Sequence, residues 1–286
     1  MRSSIVTAWL PVALLNGATV SAAHMSKPQS SSRSNSIECT ACGTKPGAFF
    51  LAGDSTTAVR GGWGDGFLTF LQSPAWGINY GHSGATTASF VAGGDWAKVI
   101  SSVKNNTAKA QCFVTIQFGH NDQKEKAGIS IAKFQSNLQK LAGEVKTAGG
   151  IPVLLTPLTR RSFSSGKSTV DDSLHSERLA TIAAAKESET HYIDLNAASM
   201  AYVNALGKDK SQVFNLDPSD RTHLNDHGGV VFGRMVADLL MGRNQTTKPV
   251  AGSCATEEDG FPSGCLAQWF KPDDKMSDAI WQGLPA

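Results

Sequence analysis

The fold is decided by the stretch Ala48-Phe49-Phe50-Leu51-Ala52, which is followed at once by Gly53-Asp54-Ser55. An apolar run that ends in a glycine and two polar residues is typical of a buried strand followed by a turn. Further short apolar runs occupy residues 75–80, 112–118, 151–155 and 191–195. We predict that these runs are the strands of one sheet.

Helical patterns lie between the apolar runs. Apolar residues recur at three- and four-residue spacing, most clearly in residues 131–146, 177–189 and 230–240. Strands that alternate with helices indicate a parallel sheet covered on both faces. The sequence therefore predicts an α/β fold: a three-layer α/β/α sandwich around a mostly parallel, five-stranded sheet. In such folds the ligand site lies at the carboxyl ends of the strands.

The composition is that of an ordinary globular protein. The chain has 286 residues, of which 41% are hydrophobic and 17% charged, and its formal charge is +2. No run of lysine and arginine forms the basic stripe that binding to a phosphate backbone needs, so we expect no nucleic-acid partner. No later stretch is long and apolar enough to span a membrane. We expect a monomer without a membrane partner.

Residues 1–23 have the layout of a secretory signal peptide. Arg2 precedes an apolar run over residues 5–15, and small residues follow at 21–23. The alternative, a membrane anchor or core helix, is disfavoured because Pro11 interrupts the run, which is also shorter than a membrane span. We therefore expect a secreted, extracellular protein.

The rest of the chain divides by composition. Residues 24–38 are expected to be a Ser-rich flexible leader, residues 39–249 the main domain, and residues 250–286 a tail packed on or near that domain. Asn105 and Asn244 each begin an Asn-x-Thr sequon, so a secreted chain would offer both for glycosylation.

The chain has five cysteines, and secretion makes disulfides the first expectation. Cys254 and Cys265 enclose a short stretch with glycine and proline, which favours a local bridge. Cys39 and Cys42 form a C-x-x-C. A structural bridge or another pairing is favoured over a redox or zinc role, because a second C-x-x-C is missing and the expected setting is extracellular. Cys112 lies in an apolar run and is expected to be buried and unreactive.

Polar clusters follow the first three apolar runs. They are Gly53-Asp54-Ser55, the segment Gly81 to Gly84, and Gly119-His120-Asn121-Asp122. Because the carboxyl ends of parallel strands meet at one edge of a sheet, we expect these clusters to lie together.

Ser55 and the segment Asp220-Arg221-Thr222-His223 could together form a nucleophilic site. A serine nucleophile needs a base that takes its proton and a carboxylate that orients the base. His223 and Asp220 supply both. Taken singly, Ser55 could instead cap a helix, and Asp220 and His223 could be a helix cap and a surface histidine. Their joint occurrence favours the catalytic interpretation.

An oxyanion formed at Ser55 needs fixed hydrogen-bond donors. The candidates are the backbone N–H groups of Ser55 and Gly84 and the side-chain amide of Asn121. Gly84 could instead serve only a turn with positive φ, and Asn121 could only brace its loop.

The four segments that contain Ser55, Gly84, Asn121 and Asp220 to His223 resemble the four sequence blocks of the SGNH (GDSL) hydrolases, and they occur in the family's order. The resemblance implies a flavodoxin-like fold over residues 39–249. It also implies that Ser55 is the nucleophile, that Gly84 and Asn121 complete the oxyanion hole, that Asp220 and His223 complete the triad, and that no cofactor is needed. Asp54, His120 and Asp122 are expected to support the site.

Finer motifs are similar to those of rhamnogalacturonan acetylesterases: Gly-Asp-Ser-Thr at residues 53–56, Gly61-Gly62-Trp63-Gly64, and Thr156-Pro157 with Arg160-Arg161-Ser162-Phe163. This resemblance implies a secreted serine esterase that removes acetyl groups from pectic rhamnogalacturonan. Related sequences act on acetylxylan, lipids and small esters, which remain alternatives. Arg160 and Arg161 could bind galacturonate carboxylates or lie in a solvated loop. Trp63 could stack on a sugar or simply pack.

Two other classes of protein compete with the serine esterase. A metal-dependent hydrolase could use His223 and His227, four residues apart, with Asp220 and His120, although the glutamate of H-E-x-x-H is absent. A non-catalytic carbohydrate-binding protein would fit a secreted chain but would have no use for the triad. The lack of a G-x-S-x-G elbow argues against the α/β-hydrolase fold.

Overall fold

A computed structural model describes residues 43–245 and 261–286 of the chain. The expected signal peptide and leader, as well as Cys39, Cys42 and Cys254, lie outside the described residues. Cys265 is disulfide-bonded, and its expected partner belongs to that undescribed part. Cys112 is free and buried, as predicted, and burial raises the pKa of its thiol.

The five apolar runs form a single parallel sheet, as predicted. Its strands are β1 (Gly47–Gly53), β2 (Trp76–Asn79), β3 (Gln111–Gln117), β4 (Ile151–Leu155) and β5 (His191–Ile193). Their order across the sheet is β2-β1-β3-β4-β5, and every neighbouring pair is parallel. This is the strand order of flavodoxin-like folds.

Helices lie between the strands and after the last strand. They are α1 (Gly64–Thr69), α2 (Thr87–Ala92), α3 (Asp95–Asn106), α4 (Ile131–Thr147), α5 (His175–Glu187), α6 (Leu195–Ser211), α7 (Asp226–Leu240), α8 (Ser263–Leu266) and α9 (Asp274–Trp281). The predictions for α4, α5 and α7 are correct to within a few residues, whereas the other helices were not predicted. None of the helices in the described ranges is long and apolar enough to cross a membrane.

The sheet carries one apolar core on each face, because successive strand residues point to opposite sides. Phe49 and Leu51 belong to the core beneath α1, α6, α7 and α9. Phe50 and Ala52 belong to the core beneath α2 to α5. The predicted three-layer α/β/α sandwich is therefore confirmed.

The order of the strands creates a crevice beside β1. The chain leaves β1 towards β2 on one side and later crosses to β3 on the other, so β1 and β3 flank a topological switch point. Ligands of doubly wound sheets bind outside the carboxyl ends of the strands at such a point. Residues that follow β1, β2 and β3 are thus placed around one crevice.

The described part of the C-terminal tail, residues 261–286, contributes buried side chains to the core that contains Phe49. Phe261, Leu266, Trp269 and Phe270 are all buried there. Trp269 lies edge-on to Phe49, with the ring centroids 6.3 Å apart. These residues therefore pack beneath the first strand.

A buried ionic network joins α7 to α9. The carboxylate of Asp238 lies 2.8 Å from Arg234, 2.9 Å from the Ser277 hydroxyl and 2.8 Å from the Trp281 indole nitrogen. Asp238 is fully buried, and burial raises the pKa of its carboxyl, although Arg234 and the two hydrogen bonds oppose that rise.

The substitution Asp238→Ala is expected to lower the free energy of unfolding by about 3–5 kcal/mol, because it leaves the buried Arg234 without its carboxylate. Urea denaturation followed by circular dichroism measures the change. Asp209→Ala, which removes an exposed carboxylate from α6, is the matched control. Equal stabilities of the two variants would contradict this account of the network.

Candidate active site

Ser55 lies two residues beyond β1, in a tight turn built by its neighbours. Asp54 Oδ1 accepts hydrogen bonds from the Thr56 backbone N–H and hydroxyl, at 2.9 and 2.8 Å. A Cβ on Gly53 would lie 2.2 Å from Thr57 Oγ1, so a side chain there would block the turn. Asp54 thus accepts the hydrogen bonds at the start of the turn, and the Ser55 hydroxyl remains available to another partner.

That partner is His223. The His223 Nε2 atom lies 2.9 Å from Ser55 Oγ, and His223 Nδ1 lies 2.7 Å from Asp220 Oδ2. Ser55, His223 and Asp220 therefore form a continuous hydrogen-bonded series. These contacts favour the catalytic interpretation of Ser55 and His223 over the helix-cap and surface interpretations.

Asp220 holds His223 through its backbone as well as its ring. Asp220 Oδ1 accepts hydrogen bonds from the backbone N–H groups of Thr222 and His223, both at 2.8 Å. Partial burial raises the pKa of Asp220, but these bonds and the interaction with His223 outweigh it and keep the pKa below its ordinary value. Asp220 is therefore a carboxylate at neutral pH, and its geometry fixes Nδ1 of His223 as the protonated nitrogen.

Arg161 fixes the segment that bears His223. Its guanidinium is fully buried and donates to Asn215 Oδ1 and to the His223 carbonyl oxygen, both at 2.6 Å. Burial lowers the pKa of Arg161 to about 10. Both alternatives raised from the sequence, a substrate contact and a solvated loop, are therefore wrong for Arg161.

Arg160 is also engaged within the protein. Its Nη1 atom donates to Ser173 Oγ at 3.0 Å. Its Nη1 and Nη2 atoms also donate to the side-chain oxygen of Gln123, at 2.8 and 2.9 Å. Burial lowers the pKa of Arg160, while Asp54 and Glu177 oppose the decrease. Arg160 therefore ties the loop after β3 to the loop after β4.

The three expected oxyanion donors belong to the segments that follow β1, β2 and β3. The backbone N–H groups of Ser55 and Gly84 donate to no acceptor among the described residues. Asn121 Nδ2 donates one hydrogen to the Ala85 carbonyl at 3.0 Å, and Asn121 Oδ1 accepts from Lys124 Nζ at 2.6 Å. Asn121 thus braces the loop of Gly84 and retains a second amide hydrogen. Gly84 has φ of 82°, a conformation that favours glycine.

The expected supporting residues are buried beneath these donors. His120 Nδ1 lies 3.7 Å from Asp54 Oδ2, and both side chains are almost completely buried. Burial raises the pKa of Asp54, but His120 and the bonds from Thr56 outweigh it, so the pKa is lowered.

Asp122 braces the start of α2. Its Oδ1 atom accepts from the backbone N–H of Thr87 at 2.9 Å and from the Thr87 hydroxyl at 2.6 Å. Burial raises the pKa of Asp122. The contact links the loop after β3 to the helix that follows Gly84.

Trp63 does not face the crevice. It is 0% exposed, and its indole nitrogen donates to Gln117 Oε1 at 2.7 Å. Thr57 Oγ1 donates to the same oxygen at 2.8 Å. Stacking of Trp63 on a sugar is therefore excluded, and the packing alternative holds. The role of Gln117 was not predicted from the sequence. A polar residue at the end of an otherwise apolar strand could have indicated it.

Of the four residues proposed for a metal, Asp220 and His223 are in contact, but His120 and His227 do not join them. His120 lies beside Asp54, whereas the ring of His227 packs on Phe214 with centroids 5.4 Å apart. Within residues 43–245 and 261–286, no three His, Cys, Asp or Glu side chains are grouped so as to hold a metal ion.

We expect excess EDTA to leave ester hydrolysis unchanged, because the described site has no metal-ligand set. The measurement is the initial rate of p-nitrophenyl acetate hydrolysis before and after dialysis against the chelator. A loss of rate that Zn²⁺ restores would contradict the serine mechanism.

The sequence is similar to that of known proteins. The model of the GDSL-like lipase/acylhydrolase family matches residues 51–229. Rhamnogalacturonan acetylesterase RhgT of Bacillus subtilis is 30% identical over 213 residues, which cover 68% of this chain and 89% of the relative.

Solved structures share the fold. The crystal structure of protein YxiM from Bacillus subtilis is 22% identical, with a TM-score of 0.60, and the match covers 68% of this chain and 56% of that one. A catalytic mutant of the acetylxylan esterase Axe2 from Geobacillus stearothermophilus is 17% identical, with a TM-score of 0.50 and coverage of 67% and 93%. At these identities the likeness concerns the fold alone.

The contacts from Ser55 to His223 and from His223 to Asp220, beside the switch point of a flavodoxin-like sheet, are typical of serine hydrolases. More narrowly, the chain belongs to the GDSL-like lipase/acylhydrolase family and is a carboxylic ester hydrolase. The predicted family is thereby confirmed.

Proposed function

We propose that this protein is a secreted acetylesterase that removes acetyl groups from rhamnogalacturonan through a Ser55–His223–Asp220 triad. The observation that carries the mechanism is the series of hydrogen bonds from Ser55 Oγ to His223 Nε2 at 2.9 Å and from His223 Nδ1 to Asp220 Oδ2 at 2.7 Å. No cofactor takes part in the proposed reaction.

In the first half of the reaction, Ser55 Oγ attacks the acetyl carbonyl carbon while His223 Nε2 accepts the Ser55 proton. The carbonyl oxygen becomes an oxyanion, which the N–H groups of Ser55 and Gly84 and the free amide hydrogen of Asn121 stabilise. Collapse of the intermediate breaks the bond to the sugar oxygen, and that oxygen takes the proton from His223. The acetyl group is then esterified to Ser55.

In the second half, His223 takes a proton from water, and the resulting hydroxide attacks the acetyl-enzyme carbonyl. The same donors hold the second oxyanion. When the intermediate collapses, His223 returns the proton to Ser55 Oγ and acetate is released. The partly buried Asp220 carboxylate stabilises the imidazolium formed in each half.

The substrate proposal rests on the relative RhgT and on the finer motifs around Thr56 and Gly61 to Gly64. Secretion is proposed from residues 1–23, which have the pattern of a signal peptide. The sequon residues Asn105 and Asn244 are both exposed, so a glycan could be attached without disturbing the core.

The test compares acetate release from acetylated rhamnogalacturonan and from acetylated xylan by the same purified protein. Faster release from rhamnogalacturonan supports the proposed substrate. Release chiefly from xylan would replace the substrate with the acetylxylan alternative and keep the mechanism. Binding of either polymer without acetate release would favour the non-catalytic alternative.

A further inference from the structure

A cavity of about 550 Å³ adjoins the proposed oxyanion hole. Gly84 and Asn121 form part of its lining, so a ligand in the cavity would lie beside the scissile ester. Cavities of this size hold ligands as large as many drugs, whereas an acetyl group has only two carbons. The cavity therefore has room for a substrate group other than the acetyl.

The cavity is positively charged. Lys124 and Lys126 line it, and no aspartate or glutamate does. Glu125 stands between them in the sequence but is not part of the lining. Neither lysine forms an ion pair with a carboxylate among the described residues, whereas Lys98 and Lys167 elsewhere on the surface do.

The two lysines are carried by an ordered turn. Residues Glu125–Ala127 form one turn of 3₁₀ helix directly after the segment of Asn121. The Lys124 backbone N–H donates to the Asn121 carbonyl at 3.2 Å, and Gly128 ends the turn with φ of 62°. Lys124 Nζ is further fixed by its 2.6 Å bond to Asn121 Oδ1. The Lys124 ammonium is thus held beside Asn121, and the same turn carries Lys126 into the lining of the cavity.

We propose that this cavity binds the carboxylate of a uronic acid residue of the acetylated polymer, with Lys126 and Lys124 as its cationic partners. The inference rests on the proposed function, since it assigns the acidic sugar of the same substrate. A carboxylate gains charge-assisted hydrogen bonds from ammonium groups that no protein carboxylate occupies. Ala88, Ala92, Ala127 and Ile129 also line the cavity, so a long acyl chain is the competing occupant that the experiment must distinguish.

Substitution of Lys126 tests the proposed carboxylate site more specifically than substitution of Lys124, because Lys124 also contacts Asn121. The experiment measures kcat/KM for acetylated rhamnogalacturonan and for the same polymer after reduction of its uronate carboxyl groups. For Lys126→Ala, the ratio of the two values is expected to fall about two- to five-fold, as for the loss of one exposed ionic contact. Lys104→Ala, at the far end of α3, is the matched control and should keep the ratio of the unaltered protein.

A second readout does not depend on the polymer being a substrate. Unacetylated oligogalacturonate should inhibit p-nitrophenyl acetate hydrolysis competitively, and its inhibition constant should rise in Lys126→Ala by the same factor. Neutral galacto-oligosaccharide serves as the control inhibitor.

The results of these experiments test the carboxylate site and the proposed acetylesterase function separately. An unchanged ratio and an unchanged inhibition constant in Lys126→Ala overturn the carboxylate site, whatever the polymer. A variant that gains activity on p-nitrophenyl butyrate relative to acetate, with no change in oligogalacturonate inhibition, overturns it in favour of an acyl pocket. Absence of acetate release from rhamnogalacturonan overturns the proposed function, while the inhibition measurement still decides the carboxylate site.

Discussion

Replacing Ser55 by alanine is expected to lower kcat for ester hydrolysis by about 10⁴- to 10⁶-fold, the range found when the nucleophile of a serine hydrolase is removed. Ser55 Oγ is the atom that His223 Nε2 contacts at 2.9 Å, so the variant has no group to receive the acetyl. The measurement is the steady-state release of acetate from acetylated polysaccharide and of p-nitrophenol from its acetate.

The matched control for this variant is Ser101→Ala, which removes an exposed hydroxyl from α3. Both variants should show the circular dichroism spectrum and melting temperature of the unaltered protein. Retention of polysaccharide binding by Ser55→Ala would show that the loss concerns chemistry. If Ser55→Ala retained a tenth or more of the activity, Ser55 would not be the nucleophile.

Replacing Asp220 by asparagine is expected to lower kcat by about 10⁴-fold with little change in KM, as in serine hydrolases whose orienting aspartate is converted to its amide. The amide has nearly the shape of the carboxylate, but it lacks the negative charge that stabilises the His223 imidazolium. It can also present its NH₂ group to His223 Nδ1 and so select the wrong tautomer. The measurement is the kcat and KM of p-nitrophenyl acetate hydrolysis.

Asp209→Asn, on the exposed face of α6, is the control for the change of carboxylate to amide. A variant with a loss of less than ten-fold would show that Asp220 does not orient the base. An equal loss in the control would point to a general effect of charge on the chain.

The strands and the places where the polar clusters fall could be predicted from the sequence. Each strand is a short apolar run, and the run Ala48 to Ala52 differs by one residue at each end from the observed β1. The glycines and polar residues that follow β1, β2 and β3 mark the strand ends, which a parallel sheet brings to one edge. Ser55 and Asn121 could therefore be placed in one crevice without coordinates.

The helix α6 could not be predicted, because its apolar residues do not recur clearly at helical spacing. Leu195–Ser211 is rich in alanine, serine and asparagine, and Gly207 interrupts its helical dihedral angles with φ of 77°. Its buried side chains include Asn196 and Ser199, which a pattern of apolar residues does not register. Tertiary packing, rather than amphipathic spacing, stabilises this helix.

The orientation of individual side chains also could not be predicted from the sequence. Arg160 and Arg161 are adjacent and identical in chemistry, yet only Arg161 is fully buried against the His223 carbonyl. Trp63 is followed by glycine and could have faced a substrate, but its indole nitrogen bonds to Gln117 inside the core. Such contacts join residues more than 50 positions apart, and no local pattern encodes them.

In the proposed mechanism, Ser55 carries the acyl group during turnover. The most direct measurement treats the protein with a fluorophosphonate ester and locates the adduct by peptide mass spectrometry. A Ser55 nucleophile predicts one adduct per chain, on Ser55, with complete loss of esterase activity and no labelling of His223→Ala. Labelling of a different residue, or full activity in a chain labelled on Ser55, would contradict it.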